Sequence, residues 1–112
     1  MNFRIRRVLE LLRDVDLEIR KTAIEALGKI EDRRAVEPLM LSLRDVFPEI
    51  REEAAESLVR IGEPSVEYLI QTLKDEDWDV RWRSSAALEK IGEPSVGPLI
   101  DALRDSNEYV RE

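Results

Sequence analysis

The sequence IRKTAIEALGKI at residues 19–30, followed by AVEPLM at residues 35–40, sets a pattern that recurs along the chain and decides its fold. Its first part places apolar residues on one face of an amphipathic helix, at Ile19, Ala23, Ala26, Leu27 and Ile30. The apolar positions of the second part, between residues 36 and 43, follow the same helical period. The pattern therefore predicts two helices joined by a short turn.

This two-helix unit returns at steps of 30 or 31 residues. The units are a half repeat at 1–13, repeats at 14–44, 45–74 and 75–104, and a partial repeat at 105–112. A unit of this length buries its apolar face against its neighbours in a stack. We therefore expect a single all-α domain, an α-solenoid of stacked antiparallel helical hairpins.

An aspartate opens each unit, and an arginine follows it in the first turn of the next helix. Because both residues return in every unit, we expect a structural ladder in which a charge-assisted hydrogen bond joins turn to helix. The ladder residues are Asp14, Arg20, Asp45, Arg51, Asp75, Arg81, Asp105 and Arg111.

Residues at the expected helix ends fit this scheme. Asp16, Asp77 and Asn107 occupy N-cap positions, where a side-chain oxygen accepts from free backbone N–H groups. Gly62 and Gly92 follow the last apolar residue of a first helix, where a glycine commonly ends a helix. The sequence thus predicts where the helices begin and end.

The strings IRKTAIEALGKI and AVEPLM resemble the HEAT repeat, specifically its short bilin-lyase-like subclass, over nearly the whole chain. The resemblance implies a right-handed α-solenoid with the first helices on the convex side and the second helices lining a concave groove. It also implies that the repeated Asp and Arg link adjacent units. Glu31 departs from the pattern, because it stands where the other two repeats have glycine.

Composition argues against catalysis. The chain has 25 Asp and Glu against 18 Lys and Arg, a net charge of −7, and neither cysteine nor histidine. It therefore lacks thiolate chemistry and the commonest general base and metal ligand. Alternating carboxylates at Asp75, Asp77 and Asp79 resemble part of a calcium loop, but each has a helix-end explanation. We expect no catalytic residue, cofactor or metal, and a non-enzymatic protein.

The second helices differ most on the side opposite their buried stripe, which is the pattern expected of a binding face. Exposed Leu41 and Tyr68 among mixed charges suit an apolar centre with a polar rim. We expect this concave groove to bind a peptide or helix, as a protein-interaction scaffold. Its candidate residues are Arg7, Glu10, Glu37, Leu41, Arg44, Glu67, Tyr68, Gln71, Lys74, Asp101 and Arg104.

Two exposed tryptophans remain outside this groove. Trp82 is a candidate for a contact on the convex face, and Trp78 is expected to pack locally at a turn between repeats. The equivalent positions in the other repeats hold dissimilar residues, so the repeat pattern does not decide the role of either tryptophan.

Two alternative functions stay open: an accessory subunit of a bilin-lyase-like enzyme, and weak nucleic-acid binding through the basic N-terminal helix, which the acidic net charge opposes. No apolar run reaches the ~20 residues that span a bilayer, so we expect no membrane partner and a cytoplasmic location. The high content of charged residues is thermophile-like.

The ends of the predicted stack also bear on association. The C-terminal face at Leu88, Ile91, Leu99 and Leu103 is covered only by Tyr109 and Val110, and Phe3, Ile5 and Val8 are partly uncovered at the other end. Uncapped repeat ends favour a homodimer.

Overall fold

A computed structural model describes the backbone of residues 3–111 and the side chains of residues 4–104. This part of the chain contains seven α-helices and no strand. The helices are α1 (Phe3–Leu11), α2 (Leu17–Ile30), α3 (Val36–Ser42), α4 (Pro48–Ile61), α5 (Val66–Gln71), α6 (Trp78–Ile91) and α7 (Glu93–Arg111). Single 3₁₀ turns at Arg33–Ala35, Glu63–Ser65 and Thr72–Lys74 adjoin the short second helices.

The helices form two layers. The first-helix layer holds α2, α4 and α6, with α2 packed on α4 and α4 on α6. The second-helix layer holds α1, α3, α5 and α7, and α3 and α5 also pack on the first-helix layer. The resulting body is elongated, 47 × 27 × 21 Å, as a stack of hairpins requires. The predicted all-α solenoid is confirmed.

The core lies between the layers and is deepest in the middle of the stack. Leu27, Leu39, Leu58 and Leu69 are fully buried there. They come from one first helix and one second helix in each of two successive hairpins. Neighbouring hairpins therefore share one continuous core rather than having separate cores.

The apolar stripe of α2 is only partly buried, which corrects the expectation from the sequence. Ala23 and Leu27 are buried, but Ile19 and Ile30 are 38% and 44% exposed. Ile24 is fully buried instead, although it lies beside the expected stripe. The reason is that α2 packs on another first helix on one side only, so its buried face turns toward α4.

The two ends of the described stack differ. Ile5 is only 4% exposed, because α1 packs on α2, so the expectation that this residue is partly uncovered is wrong. At the other end, Val96, Ile100 and Leu103 on α7 are 46%, 45% and 64% exposed. Phe3, Tyr109 and Val110 lie outside the described side chains. Association through this end stays a prediction.

Most of the predicted helix ends are confirmed. The Asp16 carboxylate accepts from the main-chain N–H groups of Glu18 and Ile19, and the Asp77 carboxylate accepts from Asp79. Gly62 and Gly92 have φ of 80° and 78°, in the left-handed region that glycine favours. Glu31 occupies the same place in the first hairpin with φ 58°.

The expected N-cap at Asn107 is wrong. Helix α7 continues without interruption to Arg111 instead of ending in a turn near residue 105. Within residues 3–111 no further helix packs beyond α7, so continuing the intrahelical hydrogen bonds satisfies the backbone where a turn has nothing to pack on.

Serines in the hairpin turns make contacts that the apolar pattern does not reveal. Ser65 Oγ donates to the carbonyl of Leu58 at 2.9 Å, and Ser95 Oγ donates to that of Leu88 at 3.1 Å. Both serines are buried, and each hydroxyl binds a carbonyl near the end of its first helix. Ala35 occupies the corresponding buried position in the first hairpin.

Helices α2 and α4 approach closely at Gly28 and Ser57. The Ser57 hydroxyl donates to the Ile24 carbonyl at 2.7 Å. A Cβ on Gly28 would lie 2.6 Å from Ser57 Oγ and 2.9 Å from Ser57 Cα. Because the second contact involves backbone, rotating the serine side chain does not relieve it.

We predict that Gly28→Ala lowers the free energy of unfolding by about 1–3 kcal/mol, the usual cost of overpacking. Urea denaturation measures this change. The control is Gly97→Ala in α7, where an added Cβ meets nothing within 4 Å. Alanine has the higher helix propensity, whereas a Cβ directly before Pro98 is disfavoured in a helix, so this control should stay within about 1 kcal/mol of the parent chain. Equal effects at both positions would contradict the close crossing.

Candidate functional site

The turns between hairpins repeat one local hydrogen bond. The carboxylates of Asp14, Asp45 and Asp75 each accept from the main-chain N–H two residues later, at 2.8, 3.0 and 2.9 Å. Such a bond imitates a backbone turn and fixes the chain just before the next first helix. The repeated aspartate therefore shapes the turn. Asp105 and Arg111 lie outside the described side chains.

The arginines of the ladder mostly reach the following hairpin. Arg20 Nη1 lies 2.7 Å from Asp45 Oδ2, and Arg51 Nη1 lies 3.2 Å from Asp77 Oδ2 and 3.0 Å from Asp79 Oδ2. Arg51 Nε also donates to the carbonyl of Asp45, in the turn before its own helix. The guanidinium of Arg51 thereby links the turn before α4 to the turn before α6.

The expected side-chain pair of Asp75 and Arg81 does not form. Arg81 Nη1 donates to the main-chain carbonyls of Asp75 and Glu76, at 2.6 and 3.0 Å. The Asp75 carboxylate pairs with Arg44, in the turn that follows α3. Turn and helix are thus joined through the backbone, and the link between hairpins uses an arginine outside the predicted ladder.

Electrostatics around Arg51 follow from partial burial. Burial raises the pKa of Asp79, but hydrogen bonds from Arg83 and Arg51 outweigh this effect and hold the pKa below its usual value. The main-chain N–H of Asp79 lowers the pKa of Asp77, with a further contribution from Arg51. Both carboxylates are therefore held ionised beside a guanidinium whose side chain is only 17% exposed.

We predict that Arg51→Gln lowers the free energy of unfolding by about 1.5–3 kcal/mol, the range for hydrogen bonds to charged groups. The control variant is Arg81→Gln, and urea denaturation measures the free energy of unfolding of both variants. Arg81 is exposed and binds only its own turn, so water replaces its bonds and the loss should be smaller. A larger loss of stability in Arg81→Gln than in Arg51→Gln would contradict the importance assigned to Arg51.

We also predict that stability falls in acid. The folded-state pKa values of Asp77 and Asp79 lie below the ordinary 3.8, so their contribution is complete above about pH 4 and is lost as the pH falls through the folded-state values. Unfolding measured against pH should show a smaller decline in Asp79→Asn than in Asp101→Asn, a change at an exposed site. Identical declines would contradict the assignment.

The second-helix layer carries one large groove, between α1 and α3, of about 820 Å³. Leu9, Leu12, Pro38 and Leu41 supply its apolar surface, and Leu41 is 72% exposed. Charged residues at its rim are Arg6, Arg13, Glu10, Glu37 and Asp45. We call this surface the α1–α3 groove.

Only part of the predicted binding set lines this groove. It brings together Glu10, Glu37 and Leu41, whereas the rest lie elsewhere on the surface: Arg7, Arg44, Glu67, Tyr68, Gln71, Lys74, Asp101 and Arg104. Leu9 and Leu12 also line the groove but were not in the predicted set, and both are half-buried. The signal that could have identified them is the position of α1 in an incomplete hairpin, where a core stripe stays partly uncovered.

Leu41 and Tyr68 do not form the expected common centre. Tyr68 is half-buried, and its hydroxyl donates to Glu37 Oε1 at 2.9 Å, which ties α5 to α3. The hydrogen bond to this carboxylate raises the pKa of Tyr68. Tyr68 therefore binds Glu37, a residue that lines the groove, without lining the groove itself. Leu41 is the exposed apolar residue of the groove.

The first-helix layer carries a second groove, of about 430 Å³, between α4 and α6. Trp82 lines this α4–α6 groove and is 61% exposed. Trp78, one turn earlier on α6, is 68% exposed, so the expectation that it packs locally is wrong. Nothing in the structure explains its exposure.

The described residues also bear on metals and membranes. Among them, no group of three or more Asp and Glu is arranged to hold a metal ion. Asp75, Asp77 and Asp79 instead bind arginines and main-chain N–H groups. No helix in this part of the chain combines the length and the apolar character needed to cross a membrane.

Comparison with known families and structures gives consistent results. A family model described as HEAT repeats matches residues 38–112, and one described as PBS lyase HEAT-like repeat matches residues 19–45. No curated protein matches the sequence. Together these matches cover residues 19–112.

Two engineered proteins, both solved as crystal structures by the Northeast Structural Genomics Consortium, share the fold. One is 24% identical with a TM-score of 0.56, over 87% of this chain and 51% of its own. The other is 23% identical with a TM-score of 0.53, over 88% of this chain and 30% of its own. The chain thus spans about half the length of the first and less than a third of the second.

Proposed function

Because this chain belongs to the HEAT-repeat family, we propose that it is a non-enzymatic protein-interaction scaffold that binds a peptide or helix in the α1–α3 groove. The observation that carries the proposal is Leu41, an exposed leucine on the second-helix layer with further apolar residues beside it. An exposed apolar centre of this kind is where a protein ligand would gain most by excluding water.

The chemistry of the groove supports a peptide ligand. Its apolar centre is surrounded by charges of both signs, which matches the arrangement of an apolar core and a polar rim. Glu37 is held in place by the Tyr68 hydroxyl, so one rim carboxylate is oriented before any ligand binds. A rim group fixed in this way costs less conformational entropy on binding.

Charge distribution favours an acidic and apolar segment. Residues 1–13 carry Arg4, Arg6, Arg7 and Arg13 against Glu10 alone, although the chain is acidic overall. Arg7 pairs with Glu10 at 3.0 Å, whereas exposed Arg6 and Arg13 line the groove. A ligand with apolar residues and a carboxylate toward α1 would match both features.

A second candidate is an accessory subunit of a bilin-lyase-like enzyme. The match of the PBS lyase HEAT-like repeat to residues 19–45 favours it, because that segment includes α3 and most of the first hairpin. In this case the segment bound in the α1–α3 groove belongs to the enzyme or to its protein substrate. Adding the chain to such an enzyme should then raise the rate of bilin attachment.

We predict that Leu41→Asp lowers the affinity for a ligand of this groove by at least ~2 kcal/mol, or about 30-fold, because it places a charge at the apolar centre. Peptides are selected from a library against the intact chain, and calorimetry measures their affinities. The matched control is Leu103→Asp, also at an exposed leucine of the second-helix layer but outside the groove.

Circular dichroism should show unchanged helix content in both variants. Unchanged affinity of every selected peptide for Leu41→Asp would overturn the proposal. Selective loss with Leu103→Asp would move the binding surface to α7, and binding of duplex DNA that Arg6→Glu abolishes would favour the nucleic-acid alternative.

A further inference from the structure

The α4–α6 groove has opposite charges at its two ends. Glu52 and Trp82 line it near the start of α4 and α6, and Glu56 lines it in the middle of α4. Arg60 and Lys90 line it near the helix ends. Trp82 and Lys90 are eight residues apart on α6, or about 12 Å along a helix. The groove is therefore acidic and aromatic at one end and basic at the other.

These charged side chains are available to a ligand. The described residues make no ion pair with Glu52, Glu56, Arg60 or Lys90, and all four are exposed. Arg83 also lines the groove, but its Nε lies 2.9 Å from Asp79 Oδ2, so its charge is already paired. The acidic end thus keeps uncompensated negative charge beside an exposed indole ring.

The carboxyl of Glu53, also on α4, is affected by the same excess of negative charge. Burial, followed by repulsion from Glu56, raises the pKa of Glu53, and Glu25 and Glu52 add to this effect. Lys21 acts in the opposite direction but does not cancel it. A cation placed near this end of α4 would relieve the repulsion.

The floor of the groove suits a helix. Ala55 and Ala86 are half-buried and have short side chains, so a third helix can approach the α4 and α6 backbones closely. Trp82 offers the aromatic face that binds an arginine or lysine best through a cation–π interaction. Exposed Glu52 and Glu56 would disfavour the phosphates of a nucleic acid or an anionic membrane.

We propose that the α4–α6 groove binds a helix of a partner protein that carries an arginine or lysine and, about two turns away, a carboxylate. The cationic side chain lies on Trp82 between Glu52 and Glu56, and the carboxylate reaches Arg60 and Lys90. This site lies in the layer opposite the α1–α3 groove, so both segments can bind at once.

The test uses the intact chain and a synthetic helical peptide with an alanine face, on which arginine and glutamate lie about 12 Å apart. A second peptide of equal composition places the two charges one turn apart. Calorimetry should give about tenfold tighter binding for the first peptide, because only its spacing lets both charges meet their counterparts.

The matched variants are Trp82→Ala and Trp78→Ala. Both tryptophans are exposed on α6, but only Trp82 lines the groove. We expect Trp82→Ala to lower the affinity for the first peptide about fivefold or more and Trp78→Ala to leave this affinity unchanged. Trp82→Leu separates the contributions, because it keeps apolar area but loses the aromatic face. Leu41→Asp should have no effect on this peptide.

Several results would overturn the proposal. They are no binding of the first peptide at millimolar concentration, equal affinities of the two peptides, or equal losses in the two tryptophan variants. Self-association that Trp82→Ala abolishes, measured by light scattering, would identify a second copy of the chain as the occupant and would also overturn it.

Discussion

Burial of each hairpin against its neighbours is the constraint on which the rest of this structure depends. A pair of helices has one apolar face and no interior of its own, so its core residues are buried only where another hairpin packs on them. Ile50, Ala54 and Leu58 on α4, in the middle of the stack, are fully buried. Ile19, the equivalent of Ile50 in the first hairpin, is 38% exposed.

Polar contacts between hairpins are subordinate to this packing but determine its register. Each repeated aspartate shapes a turn through a local hydrogen bond, and arginines then bind carboxylates of the next hairpin. Arg51 links the turns that precede α4 and α6. The pKa of Asp77 is lowered first by the main-chain N–H of Asp79 and that of Asp79 first by Arg83, and Arg51 contributes to both. The Gly28–Ser57 crossing leaves no room for a Cβ between these two first helices.

The same architecture produces two grooves of different chemistry. Neighbouring helices of one layer leave a groove between them, and the side chains of each layer determine what the groove fits. In the second-helix layer, Leu41 supplies an apolar centre with a mixed rim. In the first-helix layer, Trp82 and a charge gradient suit a helix with separated charges. A scaffold with both surfaces can hold two protein segments in a fixed relation.

The sequence by itself determined the hairpins, their order and most of their ends. Helical periodicity, N-caps such as Asp16 and turn glycines such as Gly62 act within a few residues, so each is visible in a short window of sequence. The repeat length then specified stacking and the all-α fold. Even Glu31 was recognisable as a departure, and it shares the positive φ of the glycines at this place but has a different ψ, 34° against −128° at Gly62.

Only the tertiary structure decided which residues meet. It paired Asp75 with Arg44 instead of Arg81, separated Leu41 from Tyr68, and continued α7 beyond the expected turn. These outcomes depend on the distance and angle between hairpins and on which faces lack a neighbour. A repeat pattern treats all copies of a position as equivalent, whereas burial and pairing at each copy depend on what packs beside it.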